Sequence, residues 1–93
     1  MNERLRNTIE TYCLGMDDQG LDDLGKDVRT GALAWFPDEF ADAIRAGAVT
    51  PQIWEKFVDV SVDDKETLDE YLRLTWANAA PDRLYPLDET SSE

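Results

Sequence analysis

The sequence predicts an all-α fold, a compact single domain of four to five short helices. Three observations carry this: apolar residues recur at steps of three and four along successive segments, glycine or proline punctuates most segment ends, and only one short stretch alternates like a strand. With 93 residues, one core is expected rather than two. An apolar fraction of 42 % is enough to fill that core despite the charge. The domain is placed at residues 1–87, followed by a flexible acidic tail at 88–93.

The first helix is read from Asn2 to Met16, where Leu5, Ile9, Tyr12, Cys13 and Met16 share one face. Gly15 and the run Asp17-Asp18-Gln19-Gly20 end it in a turn. Leu21, Leu24 and Val28 mark a second helix, with Gly31 placed as its left-handed cap. Gly25 inside that helix costs roughly 1 kcal/mol relative to alanine, or else marks close approach of a neighbour. The apolar connector Ala32 to Phe36 reads either as an extended segment or as the tail of the second helix, buried in both cases.

Pro37 at a first helical position, Asp38 and Glu39 behind it and Gly47 at the far end define a third helix over 37–46. Thr50-Pro51 opens a fourth, with Ile53, Trp54, Phe57 and Val58 as its apolar stripe. Residues 58–63 alternate like a strand, but no second strand exists to pair with, so they are taken as a loop that tucks alternate valines inward. Asp63 with Glu66 three residues later has the form of a capping box for a fifth helix that carries Leu68, Tyr71, Leu72, Thr75, Trp76 and Ala79. Pro81 stops it, and Leu84, Tyr85 and Leu87 are expected to pack back onto the domain. The expected core is Leu5, Ile9, Tyr12, Leu24, Val28, Phe40, Ile44, Ile53, Phe57, Leu68, Leu72 and Trp76.

The functional reading proceeds by exclusion. The chain has no histidine, which removes the commonest acid-base residue and every Ser-His or Cys-His pair. Cys13 lies on an apolar face, where burial leaves a thiol inert, and one cysteine permits no internal disulfide. No serine stands in a nucleophile elbow, and the glycines form no phosphate-cradling loop. Neither the run from Asp17 nor the run from Asp59 matches the ligand spacing of a calcium loop. No cofactor, metal site or catalytic activity is therefore expected. With no apolar span or leader-like segment in view, a cytoplasmic location is expected.

Twenty-one acidic residues against nine basic ones give a net charge of −12, which disfavours direct contact with nucleic acid or an anionic membrane. A helix-turn-helix reading of the third and fourth helices fails because the latter offers only Lys56 to phosphates, beside Glu55 and Asp59. The acids gather in two stretches: Asp18, Asp22, Asp23 and Asp27 on the second helix, and Asp63, Asp64, Glu66, Asp69 and Glu70 at the opening of the fifth. These nine are the candidate partner-binding residues. The expectation is a small acidic inhibitor, of immunity or antitoxin type, that blocks a basic site on a toxin or nuclease. The alternatives are an adaptor binding through an aromatic surface drawn from Trp35, Phe36, Trp54, Trp76 and Tyr85, and an acidic mimic of DNA. A face of carboxylates that serves only solubility has the same pattern.

Overall fold

Asn2 opens the first helix of the computed structural model, which describes residues 2–89. Its side-chain oxygen accepts the Leu5 amide at 2.8 Å, and α1 spans Glu3–Tyr12. The helix stops short of the expected Met16 because Gly15 (φ 70°) and Met16 (φ 52°) turn the chain through a 3-10 segment, Leu14–Met16. Then α2 runs Asp18–Thr30, so Gly20 lies inside a helix rather than in the turn expected there. Gly31 closes α2 in the left-handed conformation, as anticipated from the sequence.

Residues 31–35 form consecutive turns, neither extended nor a continuation of α2. The Leu33 amide returns to the Asp27 carbonyl at 3.0 Å, which wraps the segment over the end of α2 instead of through the interior. Only Phe36 of this connector is buried, while Ala32 and Ala34 are exposed. From there α3 spans Phe36–Arg45, and Gly47 and Ala48 donate back to the Ile44 and Ala43 carbonyls in a Schellman closure. Thr50 caps α4, Pro51–Val58, by accepting the Ile53 amide at 3.2 Å.

The alternating stretch after α4 is a loop, and no strand occurs among the described residues. Asp59 (φ 56°) breaks any extended path, and the Val62 amide donates to Glu55 Oε1 at 2.9 Å. Val58 and Val62 are buried and Val60 is half-buried, as the inward tuck requires. The next helix, α5, spans Lys65–Ala79, and its cap is Asp64 rather than Asp63. Asp64 has the extended backbone of a cap and its carboxylate accepts the Thr67 amide at 2.8 Å, so the Asp63–Glu66 capping box is not formed.

After Pro81 the chain turns into the short α6, Pro86–Glu89. Tyr85 and Pro86 are buried, but Leu84 is 61 % and Leu87 44 % exposed, against the expectation that both pack back. The reason is local: Trp76 Nε1 donates to the Arg83 carbonyl at 3.0 Å, and Tyr85 meets Trp76 edge-on, so this register spends its inward positions on Tyr85 and Pro86. Asp88, placed at the start of the expected tail, belongs to α6 and accepts from Arg73 at 2.9 and 3.0 Å. The remainder of that tail, residues 90–93, lies outside the described residues.

In the assembled domain α1 and α5 each pack against α2, α3 and α4, and α6 rests on α3. Stacked and edge-on rings run through the centre from Trp35 to Phe36, Phe40, Trp54, Trp76 and Tyr85. Most of the expected core is present, with Ile53, Tyr12, Val28 and Phe57 only half-buried. It is joined by Leu21, Phe36, Trp54, Val58 and Val62. Two glycines of α2 have no room for a Cβ: one added at Gly20 would stand 2.3 Å from the Tyr12 carbonyl oxygen, and one at Gly25 would stand 2.4 Å from the Asn78 carbonyl oxygen of α5. Gly25 is thus a packing requirement, which decides between the two readings of its place in α2.

Candidate functional site

Both acidic stretches reach the surface, but they sit against different parts of the fold. The crossing at Gly25 places the middle of α2 beside Asn78 at the C-terminal end of α5. Asp64 lies fourteen residues earlier, about 20 Å away along the helix at 1.5 Å per residue.

On α2, Asp22 pairs with Lys26 one turn later at 3.6 Å, and Asp27 accepts the Tyr12 hydroxyl. That hydrogen bond, reinforced by burial, holds the Tyr12 pKa above its ordinary value. Asp18 and Asp23 are exposed and have no side-chain partner among the described residues. Half of this candidate set therefore serves the fold, although a solvent-exposed pair such as Asp22–Lys26 contributes little.

At the opening of α5 the allocation differs. Asp64 is spent on the cap: the Thr67 amide and hydroxyl hold its carboxyl below the usual range. Asp69 receives Arg73 Nε at 2.7 Å, and the same guanidinium reaches Asp88 and lies 4.4 Å above the Tyr85 ring. Asp63, Glu66 and Glu70 are exposed, and their side chains have no partner among the described residues. The three lie within the approach and first two turns of α5, with Lys65 among them as the adjacent cation.

Another face of α5 borders a feature the sequence did not single out. Lys65, Leu68, Asp69 and Leu72, at helical spacing on α5, form one wall of a surface recess of about 160 Å³. Ile44, Gly47 and Val49 close it from the end of α3, and Tyr85 and Leu87 from α6 and its approach. Ile44, Leu68 and Leu72 carried a sequence signal, as core positions. Their assembly into a recess has none, because three segments distant in the chain build it. Tyr85 is 5 % exposed, and its hydroxyl finds no hydrogen-bond partner among the described residues. Burial, with the charge of Asp69, pushes its pKa up to about 12.

Of the aromatic residues considered for a binding surface, four are withdrawn from solvent. Phe36 and Trp54 are fully buried, Trp76 and Tyr85 nearly so, and Trp35 is half-buried under the Arg4 guanidinium at 4.4 Å. Four of the five rings are core, and Trp35 keeps part of its surface. Cys13 is also buried, and desolvation pushes its thiol up to about 12. Among the described residues no group of three metal-ligating side chains converges, and no helix is long and apolar enough to cross a membrane. In comparison with known proteins, the chain matches no family model, no curated protein and no solved structure.

Proposed function

We propose that the chain is a small acidic protein-binding module, an inhibitor of immunity or antitoxin type, that docks on and blocks a basic site of a partner toxin or nuclease. The observation that supports this reading is that Asp63, Glu66 and Glu70 are exposed at the start of α5 without a side-chain partner among the described residues, while the neighbouring carboxylates are committed to a cap or to Arg73. Carboxylates without internal duties keep their full field for a partner and lose no intramolecular bond on docking. Asp18 and Asp23 on α2 extend the same potential as a second, more distant contribution to encounter.

The test is capture of partners from the source cell on the full chain, followed by association kinetics with the captured protein. The reading requires a basic partner whose association rate falls steeply with added salt and whose activity is blocked in the complex. A neutral or acidic partner that associates at a rate indifferent to ionic strength would overturn it. Such a result would also remove the proposed role of the α5 carboxylates.

A further inference from the structure

The recess between the end of α3, the opening half of α5 and α6 is lined mainly by apolar groups, those of Ile44, Val49, Leu68, Leu72, Tyr85 and Leu87. Its capacity of about 160 Å³ is comparable with the ~150 Å³ of an apolar cavity that admits benzene. One isobutyl or phenyl group fits such a space, and a helix or a large ligand does not.

Two charged side chains complete the lining, and they are of opposite sign. Lys65 and Asp69 stand one turn apart on the same face of α5, yet they are not paired with each other. The Lys65 ammonium has no partner among the described residues. Asp69 accepts Arg73 Nε at Oδ2, 2.7 Å away, while its Oδ1 accepts no hydrogen bond among the described residues. The same guanidinium also serves both oxygens of Asp88, so its charge is divided between two carboxylates. One wall of the recess thus offers a cation and an anion beside an apolar interior. A net anion would approach a chain at −12 against its field, and an alkyl cation would meet Lys65 as a like charge. A zwitterion answers both side chains and brings no net charge into that field.

We propose that the recess binds a free apolar α-amino acid of the size of leucine, with its side chain in the apolar interior, its α-carboxylate on the Lys65 ammonium and its α-ammonium on Asp69. A residue within a peptide lacks both head charges and a terminal one has a single head charge, so the free amino acid is the better match. The inference is independent of the docking reading, because Glu66 and Glu70 lie on another face of α5.

The test titrates free leucine into the full chain while the methyl resonances of Leu68, Leu72 and Leu87 are followed. Three analogues are titrated beside it: isocaproate, which lacks the ammonium, isoamylamine, which lacks the carboxylate, and isoamyl alcohol, which has neither charge. Leucine should shift those methyls and bind about tenfold more tightly than any of the three. Lys65→Gln should bring leucine down to the affinity of isoamylamine and leave isoamylamine itself no weaker. Asp69→Asn should do the converse, lowering leucine to the level of isocaproate while isocaproate loses nothing. Methyls unmoved by leucine overturn the site. If isoamyl alcohol binds as tightly as leucine, the recess is an apolar hollow without head-group recognition, and the proposal fails. Equal weakening of all four ligands in both variants overturns the two head contacts. None of these outcomes touches the docking reading, which is tested by salt dependence of association.

Discussion

The α2 crossing and the α5 opening carry similar charge in the sequence and do opposite things in the structure. On α2 the carboxylates lie across a helix whose other face is pressed onto α5, so tightly that Gly25 has no room for a Cβ, and two of its four candidates bond to Lys26 and Tyr12. At the α5 opening three of five are exposed and have no side-chain partner among the described residues, and another face of the same helix borders an apolar recess. A run of acids therefore says little about recognition until its internal bonds and its apolar neighbours are known. The solubility reading fits α2 better than it fits α5.

The largest expected effect probes the packed side of that contrast. Gly→Ala within a helix ordinarily stabilises by up to about 1 kcal/mol. At Gly25 the sign should invert, because the new methyl meets a backbone carbonyl that cannot rotate away, and overpacking of this kind costs about 1 to 3 kcal/mol. Urea unfolding of Gly25→Ala measures it, and an unchanged or raised midpoint would show that the two helices are not so close. Glu66→Ala and Glu70→Ala, at exposed sites without partners, should leave the same curve within about 0.5 kcal/mol.

The next effect probes the open side. Reversing Glu66 and Glu70 to lysine should slow association with a basic partner by about tenfold or more and flatten its salt dependence. Reversal of Asp22 and Asp23 should do so less, since Asp22 is already offset by Lys26. Stopped-flow rates for the two double variants decide the matter. Equal slowing would remove the distinction between the regions, and a larger effect from α2 would reverse it.

A smaller effect appears in acid. Asp64, held by the Thr67 amide and hydroxyl, and Asp88, held by Arg73, both have carboxyl pKa values lowered by folding. A depressed folded pKa contributes stability that is present above the unfolded value of about 3.9 and is lost as pH falls through the folded value. The α5 cap and the α6 clamp should therefore weaken together in acid. Asp64→Ala should be less stable at neutral pH and show a shallower acid limb by circular dichroism, and an unaltered limb would remove Asp64 as the cap.

The smallest effect is expected at Tyr85. Its folded pKa, raised from about 10 to about 12, marks stability that is complete below the unfolded value and lost as pH climbs between the two. Tyr85→Phe should flatten that alkaline limb and be neutral or slightly stabilising at pH 7, because it removes a buried hydroxyl without a partner among the described residues. A marked loss of stability at neutral pH would reveal a hydrogen bond to that hydroxyl.

Much of the architecture was legible in the sequence because helices are local. Periodic apolar residues, Thr50-Pro51 and the glycines at 31 and 47 act within a few positions, and each marks an element that the structure contains. Boundaries were less legible, since neighbouring acids compete for one cap: Asp63 and Asp64 differ by one residue, and the extended backbone of Asp64 with its bond to the Thr67 amide separates them. The candidate residues were legible as charge, and their employment was not.

What the sequence by itself determined is the class of fold, the helix-bearing segments, most of the core and a surface dominated by carboxylates. The tertiary structure alone decided that Gly25 is a contact, that Phe36, Phe40, Trp54, Trp76 and Tyr85 are buried, that Leu84 and Leu87 remain exposed, and that α3, α5 and α6 enclose a recess. The physical reason is range. Helix propensity and periodicity are set within a turn or two, whereas Gly25 with Asn78, Arg73 with Asp88 and Ile44 with Leu72 and Tyr85 meet only after distant segments have packed.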